Sequence, residues 1–319
     1  MRKFDLFIKS NLSRVYFLSD ILILLFLFKR NSCIYFINFK MVDQRYTKII
    51  KKLQNFIDKK NKLIFVHVDI FRSFKIQFKN KKDFFKTHLS LIENITNSSK
   101  LIFPAFNYDF PRKKKFNPKK DISQTDNFTE YYRLNFAKYR TMVPIFSSTF
   151  NAKINFDDNT KNINPFGKKS VFHLLYKNNG SIFYYGAPFS ASTFIMYVEE
   201  TFKNGPIYRY KKKIFGEIVS KSRKRKINFV FHVRPPEKYY HLEYDWNKLE
   251  KVLKKKKLLK HYNEGIMQFK VLNIKTVTNF LHNKLKKDPF YLLDKKSKKW
   301  VIPMYKKLNR RFVVDDFKF

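Results

Sequence analysis

Cysteine is almost absent: Cys33 is the only one in 319 residues. That excludes an internal disulfide framework, fits a reducing cytoplasm, and leaves no thiolate set for a zinc site. The seven histidines show no HxxxH or HxH spacing, so no metal is expected. Glycine is scarce, with six residues, and none falls in a GxGxxG, P-loop or GxSxG pattern. The dinucleotide cradle, the phosphate loop and the hydrolase nucleophile elbow therefore have no basis here. Acidic side chains are few, 25 Asp and Glu against 68 Lys and Arg. Long apolar runs are lacking too: residues 15–28, VYFLSDILILLFLF, are broken by Asp20 and fall short of the roughly 20 residues a spanning helix needs.

What is abundant is lysine, phenylalanine and tyrosine. A formal charge of +43 would by itself point to nucleic acid or an anionic membrane surface. The basic runs at 112–115, 211–213, 221–226, 254–257 and 295–299, however, are scattered and form no single stripe. Lysine over arginine, with 38 Phe and 19 Tyr beside six Gly, is what A/T-rich codons encode. Compositional drift accounts for much of this surface, with a charge-driven binder as the alternative. A positive field remains in either case and favours phosphate-bearing partners. The length and the 44% hydrophobic fraction fit one large α/β domain. Residues 1–40 read as an upstream extension from a misjudged start codon, or else as a membrane-associating segment. Met41 then opens MVDQRYTKIIKKLQNFID.

Ile49, Ile50, Leu53, Phe56 and Ile57 have the spacing of one helical face, as do Phe84, Phe85, Leu89, Ile92 and Ile95. KLIFVHVDI and KLIFPAF read as strands around the second helix, which implies a right-handed parallel crossover. SIFYYG is the third strand and INFVFHV the fourth. His67 and Asp69, on one strand face, Asn107 and Asp109, and Gly186 come at the carboxyl ends of these strands, where open α/β sheets place ligands. Gly186 marks a conformation or a close backbone approach that a side chain would forbid. Ser192 and Thr193 can cap a following helix that carries Glu199 and Glu200 two turns in. Leu242, Trp246, Leu249 and Leu253, and Val277, Phe280, Leu281 and Leu285, mark two further amphipathic helices. His173 reads as a helix-packing residue. His241, His261 and His282 sit among lysines and read as exposed. No repeat is present, and the basic aromatic tail, residues 301–319, follows a domain spanning 41–300.

The stretch 164–210, NPFGKKSVFHLL…NNGSIFYYGAPFSASTFIMYVEE…GPIYRY, resembles the aminoglycoside 3-N-acetyltransferase family. FVHVDIFRSF, FPAFNYDF, FTEYYR, YRTMVPIFSS, FHVRPP and KKDPFYLLD are similar to further family segments in the same order, over roughly residues 45–300. The resemblance implies an open, mostly parallel sheet flanked by helices, distinct from the GNAT fold. It also implies acetyl-CoA as the donor and a small amine-bearing acceptor, an amino sugar or an aminoglycoside-like molecule. Cofactor-facing positions carried over by resemblance are His67, Val68, Asp69, Arg72 and Ser73 in the first strand-turn. Arg140, Thr141 and Ser147 in the second turn, Gly186 and Thr193 complete them. Asp109 and Glu130 are the candidates for holding a substrate ammonium. No specific nucleic acid is implied.

Amine acetylation needs a base for the proton of the attacking nitrogen. The family pattern Thr-x-x-His-x-x-Glu falls on Thr193, Met196 and Glu199, so a thioether that accepts no proton stands at the usual base position. His232, on the late strand, and Glu199 are the remaining candidates. Two function classes follow: an N-acetyltransferase with a relocated base, or an acetyl-CoA-binding homologue that has lost turnover. Few acidic residues among many basic ones favour an amino sugar, perhaps nucleotide-linked, over a polycationic drug.

Overall fold

The computed structural model describes residues 39–58, 62–97, 100–154, 156, 160–203, 205–220 and 224–317. The reading of residues 1–40 lies almost wholly outside them. The chain divides into two compact units, Met1–Ile49 and Ile50–Phe319. The described part of the first is the opening turns of helix α1 (Phe39–Gln54).

In the second unit, β1 (Leu63–Val68) leads through a turn of 3-10 helix at Ile70–Arg72 to α2 (Lys81–Thr96) and β2 (Lys100–Pro104). Then come α3 (Phe110–Lys113), β3 (Lys115–Phe116), α4 (Asn127–Asn135), β4 (Tyr139–Arg140), β5 (Ser148–Phe150) and β6 (Asn162–Ile163). Next are α5 (Val171–Lys177), β7 (Ser181–Tyr185) and α6 (Phe194–Thr201), followed by the paired β8 (Tyr210–Val219) and β9 (Lys224–Val233). The chain finishes with α7 (Trp246–Lys255), β10 (Leu259–Glu264), β11 (Met267–Asn273), α8 (Ile274–Lys287) and α9 (Lys295–Leu308).

Seven strands form the main sheet in the order β10-β11-β7-β1-β2-β5-β4. Its centre is parallel, with Phe65 opposite Ile102 on one side and Ile182 on the other. SIFYY is buried along its whole length and LIFVHV up to its last residue, Val68, as strands covered on both faces must be, and for that reason they carry no polar alternation. The flanks β11 and β5 run antiparallel to this core. α2 is started by Asn80, whose side chain accepts from the Asp83 N–H at 2.9 Å, and it buries Phe85, Leu89, Ile92 and Ile95. At ~1.5–3 kcal/mol for each fully buried large apolar side chain, this face holds the crossover to the sheet.

The fourth expected strand, INFVFHV, is a strand but lies elsewhere. As β9 it pairs antiparallel with β8 over their full length, in a separate sheet ordered β3-β8-β9-β6. Its inner face packs Ile214, Ile218, Ile227 and Phe229 on Phe110 and Phe116. Residue 300 lies inside α9, and the tail beyond it folds back: Phe312 and Phe317 are buried in the main core.

Candidate functional site

α6 carries the centre of the site. Phe194, Ile195, Tyr197 and Val198 bury its apolar face, which directs its two carboxylates to different neighbours. The expected caps are absent: the Ser192 hydroxyl donates to the Phe189 carbonyl and meets Tyr184 Oη at 2.6 Å, and the Thr193 hydroxyl turns to Ala191 O. Their short side chains close the preceding 3-10 turn and leave the helix N–H groups to other partners.

Glu199 is held in a closed charge cluster. Tyr208 Oη and Tyr244 Oη, the latter at 2.6 Å, donate to its carboxylate, and Arg209 Nε lies 3.1 Å away. Arg209 in turn donates to Tyr244 Oη at 2.7 Å. All four are buried. Burial above all, with the Glu199 charge, pushes both tyrosine hydroxyls above their ordinary range against the opposing charge of Arg209, so they remain donors. A carboxylate occupied in this way is a structural anchor.

Glu200 points instead to His232 on β9, with Oε2 2.6 Å from Nδ1. Asn164, in the NPFG turn, donates to its other oxygen at 2.8 Å. Burial works to raise the Glu200 carboxyl, yet His232, Asn164 and the charge of Lys211 bring it below its usual range. An ionised carboxylate only accepts, so Nδ1 carries the proton and Nε2 keeps its lone pair. Nε2 accepts from Arg311 Nη1 at 3.2 Å. Gly205 makes room for this arrangement: at φ +100° it has no Cβ, and one built there would lie 2.5 Å from His232 Cε1. Neither Gly205 nor Arg311 was legible as a site residue. Met196 packs half-buried against the core.

The other candidates fall into separate groups. His67 is 5% exposed and stacks on Tyr184 at 5.4 Å, and burial lowers its imidazole to about 3. Val68 ends β1. Asp69 starts the 3-10 turn by accepting from the Phe71 N–H at 3.2 Å and lies 3.5 Å from Arg72. Ser73 is buried and donates to Ile70 O at 2.7 Å. Gly186 sits against this turn with φ +74°, and a Cβ there would lie 1.9 Å from Asp69 O. This is the close approach its position suggested.

Arg140 spends its guanidinium on the carbonyls of Ala105 (2.7 Å), Pro118 and Asp121 and on Ser147 Oγ (3.0 Å); burial lowers it to about 10. Thr141 Oγ1 accepts from the Ser148 N–H at 3.0 Å. These residues brace the wall around β4 and β5. Asp109 is paired with Lys113 at 2.7 Å, a hydrogen bond that lowers its carboxyl. Glu130 is paired with Arg133 and accepts from Ser123 N–H at 2.6 Å; burial raises its carboxyl, but these contacts prevail and lower it. Both acids are neutralised locally. His173 packs on Tyr197 as expected, 2.9 Å from its hydroxyl. His241 and His282 differ from expectation: they bond to Asp294 at 2.8 Å and to Val198 O at 3.0 Å, partners that only the folded α8 and α9 bring near.

Asp126, which caps α4, had no sequence signal. Burial raises its carboxyl to about 6 despite the Thr129 hydrogen bonds, and the nearby Asp69 charge adds to the rise. The folded state thus holds this proton more tightly than the unfolded chain, so its contribution declines as pH rises from about 4 to 6 and stays lost above. Asp126→Asn keeps a good cap and is expected to stabilise the protein by on the order of 2 kcal/mol at pH 7.5. In urea titrations that gain should vanish at pH 4; equal gains at both pH values would contradict it.

Among the described residues no group of three or more His, Cys, Asp or Glu could hold a metal ion, and no helix is long and apolar enough to cross a membrane.

The site thus stands on a mixed α/β fold with a parallel core, a second sheet and α6 carrying the two carboxylates. The family model of aminoglycoside 3-N-acetyltransferase matches residues 86–286, and the chain belongs to that family. Among curated proteins none matches this chain. It is similar in fold to AAC-IIIb solved as a binary complex with CoASH, at TM-score 0.60 and 14% identity, over 76% of this chain and 96% of that one. YokD from Bacillus subtilis gives TM-score 0.57 and 13% identity, over 76% and 93%. AAC-VIa bound to sisomicin gives 0.55 and 11%, over 76% and 97%.

Proposed function

We propose that this protein is an acetyl-CoA-dependent N-acetyltransferase acting on a primary amine of an amino sugar or aminoglycoside-like acceptor, with His232 as general base and Glu200 as its positioning residue. The observation that carries the reading is the 2.6 Å contact between Glu200 and His232 Nδ1, in a chain of this family whose expected base position holds Met196. Bound acetyl-CoA would supply the thioester carbonyl. The acceptor nitrogen attacks that carbon, the new C–N bond replaces the C–S bond, and His232 Nε2 takes the amine proton and returns it to the departing sulfur. Glu200 keeps the proton on Nδ1 and so keeps Nε2 basic. Arg72, half-exposed and 3.5 Å from Asp69 in the β1 turn, could also reach a CoA phosphate with its guanidinium, whereas Arg140, Thr141 and Ser147 are engaged in the wall.

The test is free-thiol release from acetyl-CoA across amino sugars, sugar nucleotides and aminoglycosides. Acceptor-dependent release is expected, and its absence across the panel, with acetyl-CoA bound, would reject the activity. That result would favour the second reading, a homologue that retains acetyl-CoA without turnover, for which Met196 and the Arg311-covered Nε2 are the supporting observations.

A further inference from the structure

We propose that the outward face of β8 and β9 is a nucleotide subsite, so that the acceptor is an amino sugar carried on a nucleoside diphosphate. The inference rests on the acetyltransferase reading and on His232 as its base. β8 and β9 pair residue for residue without a bulge, from Tyr210 opposite Val233 to Val219 opposite Lys224. Ile214, Ile218, Ile227 and Phe229 fill the inner face, so the alternate positions Lys211, Lys213 and Phe215 line the outer one. His232 belongs to that outer face too, because it stands directly opposite Lys211.

The strip has an order. It begins at the proposed base, where the Lys211 charge already helps to lower the Glu200 carboxyl bonded to His232. It continues through Lys213 and ends at Phe215, which is 62% exposed while Tyr210 and Phe229 of the same ribbon are buried. Lys213 Nζ lies 4.8 Å from the centre of the Phe215 ring, so cation and aromatic face the same space. Four residues at roughly 3.3 Å each separate Phe215 from Lys211, about 13 Å in all. An extended nucleoside diphosphate sugar covers that span. Its base stacks on the Phe215 ring, its two phosphates meet the Lys213 and Lys211 ammonium groups, and its sugar amine arrives at His232. A lysine-rich composition accounts for scattered charge. It does not account for an apolar ring held in water at the end of a two-lysine track that starts at the base.

Glucosamine and UDP-glucosamine present the same amine without and with the nucleotide. Wild-type protein is expected to prefer UDP-glucosamine by about tenfold or more in kcat/KM. Phe215→Ala, and the double variant Lys211→Ala with Lys213→Ala, should each reduce that ratio by about tenfold, whereas Phe215→Trp should keep it. All three side chains are exposed, so the fold survives these changes. A wild-type ratio near one overturns the inference, and so does a ratio that neither Phe215→Ala nor the lysine double variant alters.

Binding gives a readout without turnover. UDP should quench the indole emission of Phe215→Trp, measured against the same titration of wild type, and inorganic phosphate should not. Saturating acetyl-CoA should leave the UDP signal in place. Quenching by acetyl-CoA itself, or loss of the UDP signal in its presence, assigns the strip to the donor's nucleotide and overturns the inference. The two proposals fail separately. UDP quenching with no sugar acetylated keeps the nucleotide site and rejects the activity, while equal use of both sugars keeps the activity and rejects the subsite.

Discussion

His232→Gln is expected to lower kcat for acetyl transfer by about 10²–10⁴-fold, the usual worth of a positioned general base. Glutamine is the informative substitute because its amide can still donate to Glu200, so the 2.6 Å contact keeps a partner and the buried carboxylate is not stranded. What is lost is the lone pair of Nε2. The KM for acetyl-CoA should change little, since the proposed role of His232 is proton transfer and not holding the donor. Glu200→Gln makes the companion measurement. Its carbonyl oxygen can still accept from Nδ1, so the tautomer survives while the stabilising charge for the imidazolium is gone, and a smaller loss of about tenfold follows. Steady-state thiol release at saturating acetyl-CoA reads both variants. If His232→Gln keeps kcat within about threefold, the base lies elsewhere.

Gly186→Ala is expected to cost more than about 4 kcal/mol, a large part of the 5–15 kcal/mol that holds a domain folded. Two penalties coincide. A side chain at φ +74° sits in the left-handed region, at roughly 1–2 kcal/mol. The new Cβ would also lie 1.9 Å from Asp69 O, against a rigid backbone atom that cannot turn aside. The turn after β1 would have to move, and with it the bonds from Asp69 N–H to Tyr185 O (2.8 Å) and from Gly186 N–H to Gln268 O (2.9 Å), which tie β1, β7 and β11 together at their functional end. Gly265→Ala is the control. It has φ +57° with nothing within 4 Å of the added Cβ, so only the conformational penalty applies, about 1 kcal/mol. Urea midpoints of the two variants should differ widely; similar values would show that the Asp69 contact yields easily.

The central sheet was legible because LIFVHV and SIFYY are largely apolar and aromatic runs and a helical stripe lies between KLIFVHVDI and KLIFPAF. INFVFHV has the same apolar character, and that is why it read as a fourth strand of one sheet. Its true partner is decided by the β8–β9 register, with Ile214 opposite Phe229, and pairing of that kind leaves no local trace. The carboxylates of α6 were visible as a pair, but their roles depend on the rotation of the helix about its axis. Neighbouring residues on a helix diverge by about 100°, and periodicity could not say whether Glu199 or Glu200 would meet a histidine. Arg140 and Glu130 had the residue types of ligand contacts, and their engagement with carbonyls and with Arg133 became apparent only in three dimensions. Arg311 lies 79 positions beyond its imidazole, in a tail whose composition carries no motif.

The cluster around Glu199 also bears on how this site can change. With Tyr208, Arg209 and Tyr244 gripping one carboxylate, α6 is indexed like a shaft held by a key, and Glu200 inherits its aim from a neighbour that need never touch a substrate. The contacts around it, from Asn164 to Arg311, can then accumulate replacements while the angle between carboxylate and imidazole stays set. However lysine-rich the surface becomes, that one keyed residue keeps α6 at a fixed angle.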